Sequence, residues 1–260
     1  MISFWNGNKS AARQQYEYQL FECLLAGTEA NESIYNDITD YMTAESEGAV
    51  LDNGAEALVT VAGNGKFAGK PFIELKLPLC RGLLGWRLLV TARERVEDFR
   101  GLSLEQLKHK KVGVPATWVD AELFRSNGFN VLEQGTLDDM LGWLAEGAVD
   151  FITLGANEAH DILACNEQHG GSLVVEPSLA LYYPFPLVFY VNQHQSDLAR
   201  TLAQEWHNKS SQVSKLFQAH YGDVLKQAKL PNRQVLRLNN PMLPNGYEML
   251  LDPDCAIFDC

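Results

Sequence analysis

Basic residues are scarce in this chain of 260 residues. Its 21 Lys and Arg are outnumbered by 33 Asp and Glu, which gives a formal net charge of −12 at pH 7. An electrostatic field of this sign repels the phosphates of nucleic acids and of anionic membrane surfaces. The sequence therefore predicts a protein that has no nucleic-acid partner.

Long apolar runs are lacking as well. A membrane-spanning helix needs about 20 consecutive apolar residues, and the longest runs here are interrupted by Arg87 or by the sequence YYP at 182–184. We therefore expect no direct insertion into a membrane. Met1 does not open a basic region followed by an apolar one, so the protein is either cytoplasmic or exported with loss of a signal peptide.

Cysteines are few and form no pattern. The five are Cys23, Cys80, Cys165, Cys255 and Cys260. They include no C-x-x-C pair and do not suggest a disulfide framework. Cys255 and Cys260 could form a disulfide in an oxidising compartment or remain free thiols, and the sequence leaves both alternatives open.

Motifs of catalysis and cofactor binding are also absent: there is no P-loop, no G-x-S-x-G and no H-E-x-x-H. Residues 63–68 fit the loose form G-x-G-x-x-A, but an extended run follows them where a dinucleotide site needs a helix, so we predict a tight turn. His160, Cys165 and His169 lack the spacing of a metal-ligand set and are interpreted as solvated helix residues. We therefore expect no metal and no cofactor.

The middle third of the chain alternates strand patterns with helix patterns. Strands are predicted at 111–115, 131–133, 150–154 and 172–175, and helices at 117–127, 137–146 and 156–168. Thr117 with Asp120, and Thr136 with Asp139, have the spacing of capping boxes, and Gly128 and Gly147 are placed to end the first two helices. This alternation predicts right-handed βαβ crossovers and a mostly parallel sheet.

The flanking segments predict a second sheet with its own helices. An amphipathic helix is expected at 10–26, strands at 55–62, 73–78, 83–91 and 187–191, and helices at 196–208 and 211–229, before a Pro- and Asn-rich tail at 236–260. The predicted organisation is nested. Residues 1–86 plus 187–260 form one lobe, and residues 87–186 form a second, inserted lobe. Two crossings, around 82–89 and 183–190, would make a hinge and a cleft.

Polar and aromatic residues recur where the predicted strands end. In open α/β sheets ligands bind beyond the carboxyl ends of the strands. The candidate ligand-binding residues are Trp5, Asn6, Thr60, Asn64 and Lys66 in the first lobe, and Thr117, Trp118, Asn157 and Glu158 in the second. Lys66 and Glu158 are the candidate charged contacts. Thr117 could be only a helix cap, or could bring backbone N–H groups to an anionic ligand, and Trp118 could belong to the core.

Several runs of residues resemble a known family in their order and spacing. They are RGLLGWR at 81–87, the segments 104–107, 111–114, 144–147 and 149–150, and YPFP at 183–186. Over residues 77–206 the chain resembles the type II periplasmic solute-binding proteins of the amino-acid-binding class, also called extracellular solute-binding family 3. The run NPMLP at 240–244 resembles the tail of a poorly characterised bacterial branch of that family.

The resemblance implies an α/β protein with the two-lobed type II fold, in which each lobe is a mostly parallel sheet flanked by helices and two hinge crossings join the lobes. It implies a small polar, amino-acid-like solute in the cleft, a membrane transporter as partner, and a periplasmic location, the signal peptide being absent from this sequence. Amino-acid binders of the family hold the carboxylate with an arginine and the ammonium with an aspartate. The matching positions here are Gly65 or Lys66, and Gly155.

Two alternatives to transport stay open. The same fold can serve as a ligand-sensing or interaction module, and a dehydratase-like enzyme can be built on this scaffold. General acid–base catalysis needs a pair of groups within hydrogen-bond reach, and the sequence suggests no such pair. We therefore expect a binding protein that is not an enzyme.

Overall fold

A computed structural model describes residues 1–29, 33–116, 118–166 and 171–247. The strands are β1 (Ile2–Trp5), β2 (Ile34–Asp37), β3 (Ala57–Val61), β4 (Phe72–Leu75), β5 (Trp86–Ala92), β6 (Lys111–Val114), β7 (Asn130–Glu133), β8 (Phe151–Gly155), β9 (Leu173–Tyr182), β10 (Leu187–Asn192) and β11 (Gln234–Arg237). The helices are α1 (Ala11–Leu25), α2 (Ala44–Gly48), α3 (Leu104–Lys108), α4 (Asp120–Ser126), α5 (Leu137–Ala145), α6 (Ala159–Cys165), α7 (Ser196–Asn208) and α8 (Ser210–Ala228). None of the helices in these ranges is both long and apolar enough to cross a membrane.

The strands form two mixed sheets. One has the order β2-β1-β3-β10-β4, and the other has the order β11-β9-β5-β8-β6-β7. In the first sheet β1 pairs in parallel with β2 and β3, whereas β10 is antiparallel to β3 and β4. In the second sheet β6 pairs in parallel with β7 and β8, and β5 runs antiparallel to β8 and β9. Both sheets are flanked by helices, as the α/β fold class requires.

The chain divides into two compact units. Among the described residues, unit 1 comprises Met1–Arg81, Pro186–Gly222 and 244–247, and unit 2 comprises Gly82–Phe185 and Asp223–Leu243. The chain passes from unit 1 to unit 2 after Arg81 and returns after Phe185. These two positions lie at the crossings that the sequence predicts around 82–89 and 183–190. Two further transitions follow, after Gly222 and after Leu243. Residues 223–243 are therefore placed in unit 2, whereas the sequence-based division groups them with the first lobe.

The core of unit 1 packs around α1. Ser10 caps this helix by accepting a hydrogen bond from the Arg13 backbone N–H. Phe21 stacks on Phe4 of β1, with ring centroids 4.5 Å apart, and the buried Tyr16 hydroxyl donates to the Leu79 carbonyl at 2.6 Å. The expected amphipathic helix is thus present, and its apolar face lies against the sheet.

The core of unit 2 is built on β5 and β8, in which every residue is buried. Uninterrupted burial of this kind is typical of strands covered on both faces. Helix α5 begins with the predicted capping box, in which Thr136 and Asp139 satisfy each other's backbone N–H groups. At Gly113 of β6 an added Cβ would lie 2.8 Å from the Met140 sulfur, so the absence of a side chain lets α5 pack against this strand.

Several predicted boundaries are wrong. Helix α4 begins at Asp120 and is preceded by Val119, which makes no side-chain cap, so the helix does not start at Thr117. Helix α6 begins at Ala159, and β9 is much longer than the predicted 172–175. Thr117, His169, Cys255 and Cys260 lie outside the described residues, and so does any disulfide between the last two.

Candidate functional site

The first candidate region lies where β1 and β3 end in unit 1. We call it edge 1 and define it by residues 5–9 and 60–66, together with the side chains that bind them. Trp5 is buried, and its indole Nε1 donates to the Thr39 carbonyl at 3.0 Å. Gly7 permits this approach, because a Cβ at this position would lie 2.0 Å from the same oxygen. The Trp5 ring is therefore committed to internal contacts.

Asn6 is fully buried at the start of the segment after β1. Its Nδ2 donates to the Gln14 carbonyl at 2.8 Å, and Gln14 Nε2 donates back to the Asn6 carbonyl at 3.0 Å. This reciprocal pair ties the end of β1 to the first turn of α1. The Asn6 Oδ1 atom has no hydrogen-bond partner among the described residues. A buried acceptor without a donor is unfavourable unless water or a ligand supplies one.

Thr60 and Asn64 are directly linked. Asn64 Nδ2 donates to Thr60 Oγ1 at 2.8 Å, and Asn64 Oδ1 accepts from the Lys66 backbone N–H at 3.1 Å. The second bond caps a short 3₁₀ turn at Gly65–Phe67, after which the chain extends into β4. The tight turn predicted for residues 63–68 is therefore confirmed, and the amide of Asn64 is used to build it.

Lys66 is paired with a carboxylate. Its Nζ lies 2.7 Å from Glu47 Oε2, with a quarter of the lysine side chain and less than a tenth of the glutamate side chain exposed. The same Glu47 oxygen accepts from Asn8 Nδ2 at 3.0 Å. The candidate cation of edge 1 thus already has an anionic partner.

A second ion-pair cluster at edge 1 was not predicted. Lys9 Nζ lies 2.6 Å from Glu17 Oε2 and donates to the Val59 carbonyl at 3.1 Å, while Arg13 Nε donates to Glu17 Oε1 at 2.9 Å. Glu17 is fully buried. Burial lowers the pKa of Lys9, and the neighbouring Glu17 offsets part of that effect. The spacing of Arg13 and Glu17 on one helix was the sequence signal that could have revealed this cluster.

The second candidate region lies where β6 and β8 end in unit 2. We call it edge 2 and define it by residues 118–120 and 155–158 with Arg87 and Tyr183. Arg87 belongs to this edge because β5 runs antiparallel to β8 and pairs Arg87 with Gly155. The carboxyl end of β8 therefore brings a buried arginine beside the turn that leads to α6.

Arg87, Asp120 and Tyr183 form a buried trio. The Arg87 guanidinium lies 3.0 Å from Asp120 Oδ1, its Nε donates to the Tyr183 hydroxyl at 2.7 Å, and that hydroxyl donates to Asp120 Oδ1. Burial disfavours the charge of Arg87, but Asp120 and Tyr183 outweigh burial and raise the pKa of the guanidinium. Burial also raises the pKa of Tyr183 well above its usual value, which keeps the hydroxyl a neutral donor.

This trio was missed by sequence reasoning, although a signal existed. Arginine is almost never fully buried without a partner, and Arg87 stands inside the apolar run of β5. Its partner Asp120 was assigned to a capping box with Thr117. In the structure Asp120 begins α4 and joins this helix to β5 through Arg87.

Asn157 and Glu158 converge beside Gly155. A Cβ added at Gly155 would lie 2.4 Å from Asn157 Oδ1 and 3.2 Å from Glu158 Oε1. Asn157 is 95% buried, being only 5% exposed, and its Oδ1 has no hydrogen-bond partner among the described residues. Glu158 is half-buried, and its backbone N–H donates to the Gly155 carbonyl at 3.0 Å, whereas its side-chain carboxylate makes neither a hydrogen bond nor a salt bridge to any residue the structure describes. Two acceptor groups thus lie next to a residue that has no side chain.

Trp118 lies in the turn between β6 and α4. Its backbone N–H donates to the Pro115 carbonyl at 3.3 Å, and its carbonyl accepts from the Ala121 N–H at 3.1 Å. The side chain is half-buried, so part of its surface remains available to solvent or a ligand. It stands two residues before Asp120 and so belongs to edge 2.

One small pocket adjoins edge 1. It measures about 250 Å³, and Asn64 contributes to its wall with Phe67, Phe72 and Tyr190. The Tyr190 and Phe72 rings stack at 4.0 Å, and the Tyr190 hydroxyl accepts from the Gly63 N–H at 3.1 Å. Ligand pockets for drug-sized molecules span roughly 300–1,000 Å³, so this pocket is slightly smaller than that range.

No protein-family model matches this sequence, and no curated protein does. Solved structures do match it. An amino acid ABC transporter substrate-binding protein from Streptococcus pneumoniae bound to L-arginine has a TM-score of 0.61 at 10% identity, covering 86% of this chain and 93% of that one. A periplasmic His/Glu/Gln/Arg/opine family-binding protein from Silicibacter pomeroyi in complex with lysine has a TM-score of 0.59 at 10% identity, covering 86% and 98%.

The ligand-binding core of GluR0 in complex with L-glutamate is similar as well. Its TM-score is 0.59 at 15% identity, covering 84% of this chain and 97% of the other. These likenesses establish the fold: the chain has the two-lobed type II fold of periplasmic solute-binding proteins, as its sequence resemblance predicts. The proteins that share the fold here are binding proteins.

Proposed function

We propose that this protein is a solute-binding protein that captures a small polar solute through residues of edge 1 and edge 2 and delivers it to a membrane transporter. The observation that carries the proposal is the fold, which is shared with proteins that hold L-arginine, lysine and L-glutamate. In α/β sheets the carboxyl ends of strands are the usual place for such a ligand.

The proposed contacts are Trp5, Asn6, Thr60, Asn64 and Lys66 at edge 1, and Thr117, Trp118, Asn157 and Glu158 at edge 2. The buried, unpartnered Oδ1 atoms of Asn6 and Asn157 support this assignment best, because each needs a donor that a solute would supply. Trp5, Thr60 and Asn64 are already engaged in internal hydrogen bonds. Their part would be to shape edge 1 rather than to provide free polar groups.

The proposal also holds that the protein is not an enzyme and acts in the periplasm. The support is the fold, which is shared with solute-binding proteins. Burial raises the pKa of Cys80 to about 12 and keeps this one thiol protonated. A thiolate, not a thiol, is the nucleophile in cysteine chemistry. The polar hydroxyl of Tyr183 is likewise held neutral inside the trio with Arg87 and Asp120.

The test is a thermal-shift screen of the full chain against amino acids, amines, organic acids and sugars, followed by calorimetry of each hit. At concentrations near 100 times Kd a true solute adds about 2.7 kcal/mol to the free energy of unfolding. We expect at least one saturable, one-to-one solute that mass spectrometry recovers unchanged. Absence of any shift across the panel would contradict solute capture, and conversion of a bound compound would show an enzyme instead.

A further inference from the structure

Edge 2 contains an acceptor site that is not satisfied by the protein. Asn157 Oδ1 and Glu158 Oε1 both lie next to Gly155, 2.4 and 3.2 Å from the position that a Cβ would take. The Asn157 oxygen is buried and has no donor among the described residues. Glu158 makes no ion pair with any of them, although its charge contributes to raising the pKa of Arg87. A positively charged hydrogen-bond donor would satisfy both oxygens.

The basic side chains of the two edges already have carboxylate partners. At edge 2, Arg87 is paired with Asp120 and hydrogen-bonded to Tyr183. At this edge the pair itself carries no net charge, and the carboxylate of Glu158 makes no ion pair of its own with a described residue.

Edge 1 shows the same pairing. Lys66 is bound to Glu47, and Lys9 and Arg13 share the buried Glu17. Recruiting Lys66 to a ligand carboxylate would leave Glu47 without its partner, which is strongly unfavourable. Lys9 and Arg13 exceed Glu17 by one positive charge, but the Lys9 side chain is only 3% exposed and both cations are bound to Glu17. At these positions each of the cations thus already has a carboxylate partner, which a solute carboxylate would have to displace or share.

We propose that the solute is an organic cation without a carboxylate, a primary amine or guanidinium compound, whose charged group binds Glu158 Oε1 and Asn157 Oδ1. This inference rests on the proposed solute-binding function and specifies its ligand class. Charge-assisted hydrogen bonds to a carboxylate are about twice as strong as neutral ones. The net charge of −12 acts in the same direction, because it attracts cations to the protein surface.

Matched pairs of compounds that differ only in the carboxylate test the ligand class. Calorimetry on the full chain compares agmatine with L-arginine and cadaverine with L-lysine at neutral pH. We expect the amine of each pair to bind at least about tenfold more tightly than the amino acid. Equal or tighter binding of the amino acids would overturn the inference and leave solute binding intact. Binding of only uncharged or anionic solutes from the wider panel would do the same, whereas no binding at all would also defeat the proposed function.

Substitutions at edge 2 test the site itself. Glu158→Gln removes the charge and keeps the shape, and we expect it to weaken agmatine binding about tenfold or more. Glu122→Gln is the matched control, because Glu122 is exposed on the neighbouring helix α4 and carries the same charge. Gly155→Ala places a methyl group against both oxygens and should abolish binding. Unchanged affinity in Glu158→Gln would overturn the assignment even if Gly155→Ala fails to fold.

Discussion

At the scale of single residues, the buried carboxylates described here are paired with basic side chains. Glu17 and Asp120 are buried carboxylates. Glu17 is held by Lys9 and Arg13, and Asp120 by Arg87, all within 3.0 Å. A buried pair contributes little net stability, but removal of one partner leaves an uncompensated charge inside the protein. The pairs therefore hold α1 and α4 in place relative to their sheets, each within its own unit.

The substitution Asp120→Ala tests this account of the trio. It leaves the buried guanidinium of Arg87 and the hydroxyl of Tyr183 without their common acceptor, and we expect a loss of about 3–5 kcal/mol in the free energy of unfolding. Asp223→Ala is the control, because Asp223 forms an exposed pair with Lys226 on α8 and should change stability little. Urea denaturation measures both. Equal, small effects would show that the trio does not hold α4 to β5.

At the scale of secondary-structure elements, two glycines of unit 2 should respond in opposite ways to the same change. Gly113→Ala puts a methyl group 2.8 Å from the Met140 sulfur and 3.2 Å from Val149 and Ile152, and overpacking of this kind costs about 1–3 kcal/mol. Gly142→Ala lies within α5, where an added Cβ meets nothing within 4 Å. It should stabilise the protein by up to about 1 kcal/mol, because alanine favours helix. Thermal unfolding of the two variants gives the signs, and the same sign in both would refute the described packing of α5 on β6.

The elements that the sequence predicts well are those with strong local signals. Helices α1, α5 and α7 have amphipathic patterns or capping residues within their own length, and their observed bounds lie within one residue of the predicted ones. The short helices α2 and α3 and the edge strand β2 contain too few residues for a periodic pattern. The start of α4 was misplaced because Asp120 is bound by Arg87, a residue from a distant strand.

At the scale of the whole molecule, the features that the sequence does not predict are those set by pairing between strands far apart in the chain. Strand β11 pairs in parallel with β9, Gln234 opposite Leu179, and this pairing places residues near the end of the chain in unit 2. No local pattern encodes such a partner. The candidate site divides in the same way. The positions of Thr60 and Asn157 near strand ends could be predicted from the strand patterns of the sequence. The ion pairs of Lys9, Lys66 and Arg87 could not, because they depend on residues that the fold brings together.

The central claim is that a small solute binds at edge 1 and edge 2, and hydrogen–deuterium exchange tests it most directly. Exchange is measured on the full chain with and without agmatine, or with the panel solute that gives the largest thermal shift. We predict slower exchange in peptides that cover residues 5–9 and 60–66 of edge 1 and residues 118–120 and 155–158 of edge 2. Protection confined to segments outside both edges, including the strands that carry Phe72 and Tyr190, would contradict the account.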